Sequence, residues 1–351
     1  MTLPARTAKY NKPERKEDVV LDPVMENPSR ILLSGDTHGD ANHVRWVIQH
    51  AKRLDAGAVF VLGDFGIWDH LDGGRFTDTV SKDARRHEVP VFFLPGNHDN
   101  YDLLFDWEAT KPRTVDGFLE IKPGLYYSPR GHRWSWHGTR FMSLGGAYSV
   151  DKQPRVLQDQ ITLRRAQAAE EKGQALTAKD RYMLRLGQWQ WWSQEEISQE
   201  ELDHALRPGE IDILLTHDKP RLSSPEWNRK DIEECWTNQQ AIQDVVDAKK
   251  PKLLVHGHLH WPYDQYIPGG TYVKALDCDP EASRHSGGTG MKTASVATLE
   301  VGRDLDMELD GKEYSGKGFT LTWSGKTFSG YSDAIERNFA QFEQGLLEGS
   351  E

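Results

Sequence analysis

The chain has 351 residues, of which 37% are hydrophobic and 28% charged, and a formal net charge of -11. That length and balance exclude bulk disorder and suit one large core or two modest ones, while the negative charge argues against a broad basic surface for duplex nucleic acid, though not against small nucleotides. Only two cysteines, Cys235 and Cys278, occur, which excludes a disulfide framework and fits a reducing compartment.

Residues 1–29 mix Pro, Lys and Glu without apolar periodicity and read as an extended tail. No apolar stretch follows the basic start, so no secretory signal, no membrane span and a cytosolic location are expected. From Arg30 onward short apolar runs end in Gly or a turn: ILLSG before Asp36, AVFVLG before Asp64, VPVFFLPG before Asn97, IDILLT before His217 and KLLVHG before His258. These predict buried strands. Helical patterns lie between them, with Val44, Val47, Ile48, Ala51 and Leu54 on one face and Ile242, Val245 and Val246 on another. The alternation implies a layered α/β fold whose loops gather at the carboxyl ends of the strands. In His132–Ser149 the alternation around His137-Gly138 predicts a β-hairpin that adds to a second sheet. Residues 155–187, rich in Gln, Ala, Glu, Lys and Arg with turn signals at Gly173 and Thr177, predict a two-helix insertion. A solvated excursion is the favoured reading over a shield for the site or a partner contact. Beyond 301, GFTLTW and KTFSGY predict strands and SDAIERNFAQFEQGLL a helix. The expected organisation is a tail over 1–29, a main domain over 30–301 and a small appendage over 302–351.

Five blocks at the ends of the apolar runs carry the chemistry: DTHGD at Asp36–Asp40, GDFG at Gly63–Gly66, GNHD at Gly96–Asp99, THD at Thr216–Asp218 and HGHLH at His256–His260. Asp, Asn and His supply oxygen and nitrogen donors suited to divalent transition metals, with no Cys among them to suggest a structural zinc cage. A two-metal hydrolase needs cations about 3.5–4 Å apart and a carboxylate that bridges them, for which Asp64 is the candidate. Asp36 and His38, two apart in an extended segment, would project to one side and chelate one ion together. His258 and His260 share that spacing, and Asn97 and His217 would complete the second ion. Any one of these residues alone would more often be a turn former or a satisfied polar group; five compatible blocks in order reverse that balance. Gly35, Gly63 and Gly96 read as backbone devices and His256 as structural. Asp40, Asp99 and Asp218 divide evenly between orienting ligands and capping turns. Trp134, Trp136, Trp189, Trp191 and Trp192 read as core in preference to a base-stacking pocket, and Tyr148 as a pocket wall.

The order and wording of the blocks resemble the calcineurin-like metallophosphoesterase superfamily from about Arg30 to Asp279. The resemblance implies a four-layer αββα sandwich, a first ion on Asp36, His38, Asp64 and His260, and a second on Asp64, Asn97, His217 and His258. It also implies His98 as the catalytic acid, with Asp99 beside it orienting the ring. Manganese is the ion expected from the family; iron, zinc and nickel suit the same donors. LGGAYSVD and WQWWSQEEIS further resemble bacterial and phage members that act on small phosphodiesters, which implies a bacterial or phage-infected cytosol. The implied chemistry is in-line displacement by a hydroxide held between the ions, with His98 protonating the leaving alkoxide. The expected substrates are small phosphate esters, with cyclic nucleotides among them. A protein phosphatase is disfavoured, because the family's serine/threonine phosphatases carry GDxxDRG where this chain has GDFGIWD and lacks that arginine. A recombination-type nuclease is disfavoured by the acidic balance, and a non-catalytic scaffold for a protein partner by the intact ligand set. Natural substrate, protein partners and oligomeric state are not legible.

Overall fold

The structure, a computed structural model, describes residues 20–21, 27–68, 73–225, 232–309 and 312–332. The first half runs β1 (Val20–Leu21), β2 (Arg30–Ser34), α1 (Ala41–Arg53), β3 (Ala58–Leu62), α2 (Arg75–His87), β4 (Val91–Leu94) and α3 (Tyr101–Thr110). It continues through β5 (Arg113–Thr114), β6 (Leu119–Lys122), β7 (Leu125–Tyr127), β8 (His132–Trp136), β9 (Thr139–Leu144), α4 (Lys152–Glu171) and α5 (Ala178–Leu186). There follow α6 (Gln199–Leu206), β10 (Ile213–Thr216), α7 (Trp236–Lys249), β11 (Leu253–His256), β12 (Tyr263–Tyr266), β13 (Tyr272–Ala275) and α8 (Pro280–Ser286). The last strands are β14 (Val296–Leu309), β15 (Lys312–Trp323) and β16 (Lys326–Tyr331).

One sheet has the order β1-β5-β6-β7-β4-β3-β2-β14-β15-β16 and the other β12-β13-β11-β10-β9-β8. In the first, β2, β3, β4 and β7 are parallel, and in the second β9, β10, β11 and β13 are. The two-residue period of a strand divides their side chains between two faces. Leu32, Val59, Val61, Val91 and Phe93 pack toward Val44, Val47 and Ile48 of α1 and Val80 of α2. Their neighbours Ile31, Leu33, Phe60 and Phe92 meet Phe141, Ile213, Leu215 and Leu253 of the other sheet. The outer face of that sheet, through Met142, Leu214 and Leu254, is covered by Leu202 of α6 and Ile242 and Val245 of α7. The result is helix, sheet, sheet, helix: the expected four-layer sandwich. Each fully buried aliphatic or Phe side chain contributes roughly 1.5–3 kcal/mol by leaving water. Trp134 stacks on Phe60 and Phe141, and Trp136 packs edge-on to Phe92, so both fill the space between the sheets.

The predicted hairpin joins β8 to β9 through His137 and Gly138, both at positive φ (49° and 81°). That pair of left-handed residues is the two-residue turn whose twist matches antiparallel strands. The two-helix insertion is α4 and α5; Thr177 closes a capping box with Asp180, and Gly187 ends α5 at φ 71°. Its first helix starts at Lys152, a turn earlier than the sequence pattern suggested. The C-terminal segment expected as an appendage from residue 302 is continuous with the first sheet. Strand β14 runs through Gly302, pairs with β2 and carries β15 and β16 as the sheet edge. The helix read from SDAIERNFAQFEQGLL lies outside the described residues apart from its first serine, as does most of the N-terminal tail; Val20–Leu21 pair with Arg113–Thr114. Among the described residues no helix is long and apolar enough to cross a membrane.

Candidate metal centre

Strands β2, β3, β4, β10 and β11 all end at one rim, and the loops that follow are stitched together by their own backbones. Thr37 N and His38 N donate to Asp64 O, Gly39 N donates to Phe65 O, and Asp279 N donates to Asp36 O. The spacing in DTHGD and HGHLH works differently from the extended segments expected of it. His38, Asp64, His258 and His260 sit at φ 42°, 45°, 61° and 53°, so the chain curls at each donor where an extended strand would have carried the side chains past. L-residues adopt that region at a cost, and such strain collects at functional sites where surrounding contacts enforce it. The approach is close enough that a Cβ on Gly96 would collide with Asp64 N and Oδ1, and one on Gly257 with Asp36 Oδ1.

The seven expected donors come together, and Asp64 lies between two groups of them. On one side, His38 Nε2 is 3.6 Å from Asp64 Oδ2 and 3.9 Å from Asp36 Oδ2, while His260 Nε2 is 3.0 Å from Asp36 Oδ2. On the other, His217 Nε2 is 3.4 Å from Asp64 Oδ1 and 3.0 Å from Asn97 Oδ1, with the His258 ring 4.9 Å from that of His217. Asp64 Oδ1 also accepts from His98 N at 2.7 Å, and Oδ2 is buried without a hydrogen bond among the described residues. A buried carboxylate oxygen whose nearest cationic group, the His38 ring, stands beyond hydrogen-bond reach marks a place for a closer positive charge. The histidine tautomers agree. His217 Nδ1 donates to Leu62 O at 2.8 Å and His38 Nδ1 to Asp279 Oδ2 at 2.7 Å, which turns both Nε2 atoms inward onto oxygen acceptors, where either a proton or a cation can sit. These residues fit two divalent cations.

The electrostatics say the same. Burial opposes ionisation of Asp36 and Asp64, yet both carboxyls are held below the usual carboxylate range, Asp36 by His217 and His260 and Asp64 by His217 and His98. Burial likewise opposes charge on His38, but the Asp279 and Asp64 carboxylates push it up to about 10; the Asp64 and Asp36 charges push His217 up to about 9. Protons on the imidazoles thus balance the buried carboxylates, and a cation would displace them.

The remaining sequence candidates have other duties. Asp99 does not orient the His98 ring: its carboxylate accepts from Gly66 N, Ile67 N and Gly96 N, each at 2.9 Å, and so ties the second and third blocks together. Asp40 caps α1 through Asn42 N and His43 N. Asp218 accepts from Lys219 N, and burial raises its carboxyl to about 6. His256 bonds Gly257 O and Tyr263 OH, a structural role. His98 has its ring centroid 6.0 Å from that of His38, and burial pushes it down to about 4 against the pull of Asp64.

Several neighbours escaped the motif reading. Asp279 fixes His38 while its Oδ1 caps α8 through Ala282 N. Cysteine, kept apart from the cluster in the sequence, is brought to it by the fold: Cys278 Sγ and ring nitrogens of His38 and His260 lie within 4.8 Å of one another. Ser149 Oγ accepts from Asn97 Nδ2 at 2.9 Å and donates to Glu195 Oε2 at 2.6 Å, which aims Asn97 Oδ1 at His217. The only sequence signal for these was position: Asp279 precedes a proline at a helix start, and Ser149 ends the LGGAYS loop.

The family model described as calcineurin-like phosphoesterase matches residues 29–262 of the chain. No curated protein matches it. Among solved structures, a dimetal phosphatase from Danio rerio is 14% identical over 87% of this chain and 100% of its own, with a TM-score of 0.45. A protein of Thermus thermophilus, TT1561, is 11% identical over 88% and 99%, with a TM-score of 0.39. The phosphopantetheinyl hydrolase of Mycobacterium tuberculosis is 13% identical over 76% and 95%, with a TM-score of 0.34.

Proposed function

Because the chain belongs to the calcineurin-like phosphoesterase family, we propose that it hydrolyses small phosphate esters, phosphodiesters foremost and phosphomonoesters besides, with cyclic nucleotides among the substrates to be tried. The observation that carries this reading is Asp64, a buried carboxylate with one oxygen turned to each of two donor groups and one of those oxygens without a hydrogen bond among the described residues. In the proposal Asp36, His38, Asp64 and His260 hold one divalent ion and Asp64, Asn97, His217 and His258 the other, manganese being the ion proposed. When bound, such a pair supplies a low-pKa water and neutralises charge on phosphoryl oxygens.

The rest falls to the chain itself. Asp279 and Leu62 O hold the proton-bearing nitrogens of His38 and His217, so the other nitrogens stay available as donors of lone pairs. Ser149 keeps the Asn97 amide from flipping, because a reversed amide would point its N–H groups at His217 Nε2 and its oxygen at a hydroxyl already committed to Glu195. His98, adjacent to Asn97 and facing His38, is the proposed donor of a proton to the leaving alkoxide, a role that requires the anionic substrate to raise the ring from the value of about 4 that burial gives it in the free protein. Two buried cysteines outside any disulfide support the proposed cytosolic setting.

The test is hydrolysis of bis-p-nitrophenyl phosphate against p-nitrophenyl phosphate by metal-stripped protein reconstituted with manganese. Preference for the diester, abolished by EDTA, is the expected result. Turnover that persists in protein shown to be metal-free would contradict the reading.

A further inference from the structure

The helical insertion brings a cation to the metal centre. Arg155, in the first turn of α4, has a side chain nine-tenths buried. Its Nη1 donates to Ser149 Oγ at 2.7 Å, and lies 3.4 Å from Asp151 Oδ1 and 4.0 Å from Glu195 Oε2. Ser149 Oγ is then fully used, since it donates to Glu195 and accepts from both Arg155 and Asn97. The guanidinium is thereby locked two hydrogen bonds from Asn97.

What Arg155 leaves unused is the informative part. Guanidinium offers five N–H donors, yet among the described residues Nε and Nη2 of Arg155 make no hydrogen bond. Arg130, also buried, spends both terminal nitrogens on protein acceptors: Glu201, Glu196 O, Glu195 O and the Tyr101 hydroxyl. Neither nitrogen is sealed from solvent, whereas Arg130 Nε is buried without a hydrogen bond among the described residues, so these two donors are open to an anion that takes two N–H groups of the fork. A phosphate ester is such an anion, and the second block, GDFGIWD, supplies no arginine of its own.

We propose that Arg155 grips the phosphoryl group of the substrate, its Nη1 edge fixed by Ser149 and its remaining N–H groups donated to non-bridging oxygens. The base of the insertion is on this account part of the substrate site, and the insertion is more than a solvated excursion. The inference rests on the phosphoesterase reading and adds the residue that recognises the anion.

Inorganic phosphate is the probe. Its binding to the manganese-loaded full chain is measured by calorimetry and as competitive inhibition of diester hydrolysis, for wild type, Arg155→Gln and Arg155→Lys, with metal content and thermal unfolding alongside. Gln can still donate to Ser149 without charge or fork; Lys keeps the charge without the fork. The expected result is two ions bound in every protein, phosphate affinity about tenfold or more weaker in Arg155→Gln and less so in Arg155→Lys, and KM raised more than kcat is lowered. Unchanged phosphate affinity in both folded, metal-loaded variants would overturn the proposal, as would loss of an ion with phosphate affinity per loaded chain preserved, which would reduce Arg155 to a support for Asn97. Failure of the metal-loaded wild type itself to bind phosphate or hydrolyse either ester would instead remove the underlying phosphoesterase reading, and this proposal with it.

Discussion

At the scale of single residues, the proposed function gives Asp64 and His98 different roles, and substitution separates them. His98 contributes only its backbone N–H to Asp64, so His98→Ala should keep both ions while turnover falls about 10²–10⁴-fold, most steeply for alkyl leaving groups that need a proton. Elemental analysis beside a leaving-group series checks this, and normal turnover of an alkyl diester by the variant would remove His98 from the chemistry. Asp279→Ala should weaken metal binding by about 10–100-fold, because the His38 ring loses the carboxylate that sets its tautomer. Competition with a chelator reads that directly; unchanged affinity would make Asp279 a helix cap alone. The donors themselves were legible because each block is local, a few residues at the end of one apolar run. Asp279, Cys278 and Ser149 were not, since their partners are made by tertiary contact: Asp279 is 241 residues from the histidine it holds. Asp99 was misassigned because adjacency to His98 in sequence says nothing of where a side chain turns, and the backbone N–H groups of two tight loops claimed it.

Among the elements, the insertion is anchored by its first helix. Asp159 accepts from Trp189 N, Gln190 N and Trp191 N at 3.0, 3.1 and 3.3 Å, tying α4 to the tryptophan-rich segment that leads to Glu195. Asp159→Ala would leave these donors without their acceptor and should cost about 1–3 kcal/mol, measured by chemical denaturation. Glu195 gives this region a pH dependence. Burial raises its carboxyl from 4.5 to about 7 against the Ser149 hydrogen bonds and the Arg155 charge. The folded value exceeds the unfolded one, so its favourable contribution is complete below about 4.5 and is lost as pH rises through about 7. Metal-free wild type should therefore lose more stability between pH 5 and pH 8 than metal-free Glu195→Gln; equal slopes would refute the assignment. The two helices were legible from composition and from the turn signals at Gly173 and Thr177, which became the loop and the cap. That Arg155 and Asp159 turn inward was not, because a helix this polar carries no clean apolar stripe to tell its inner face.

At the scale of the whole molecule, the alternation of apolar runs with helical patterns was enough to expect layers, since strands covered on both faces read as continuous apolar segments. The join of the C-terminal strands to the first sheet was hidden, because β14 pairs with β2, at the opposite end of the chain, and pairing partners leave no mark in local sequence. Because the folded state alone gathers donors from five loops, metal should stabilise the entire fold. At a free ion concentration of about 100 Kd each site adds about 2.7 kcal/mol, so the thermal midpoint should rise with manganese and fall with EDTA. A midpoint indifferent to either would mean that the donors do not act together.

The central claim is that these seven donors form a centre for two ions that share Asp64. Its most direct test is the metal content of reconstituted wild type and of Asn97→Ala, by elemental analysis after removal of free ions. Two ions per wild-type chain and one per Asn97→Ala chain is the result expected, since Asn97 serves only the group that faces Asp64 Oδ1. A wild type that holds one ion or none, or an Asn97→Ala variant that keeps two with undiminished affinity, would contradict it.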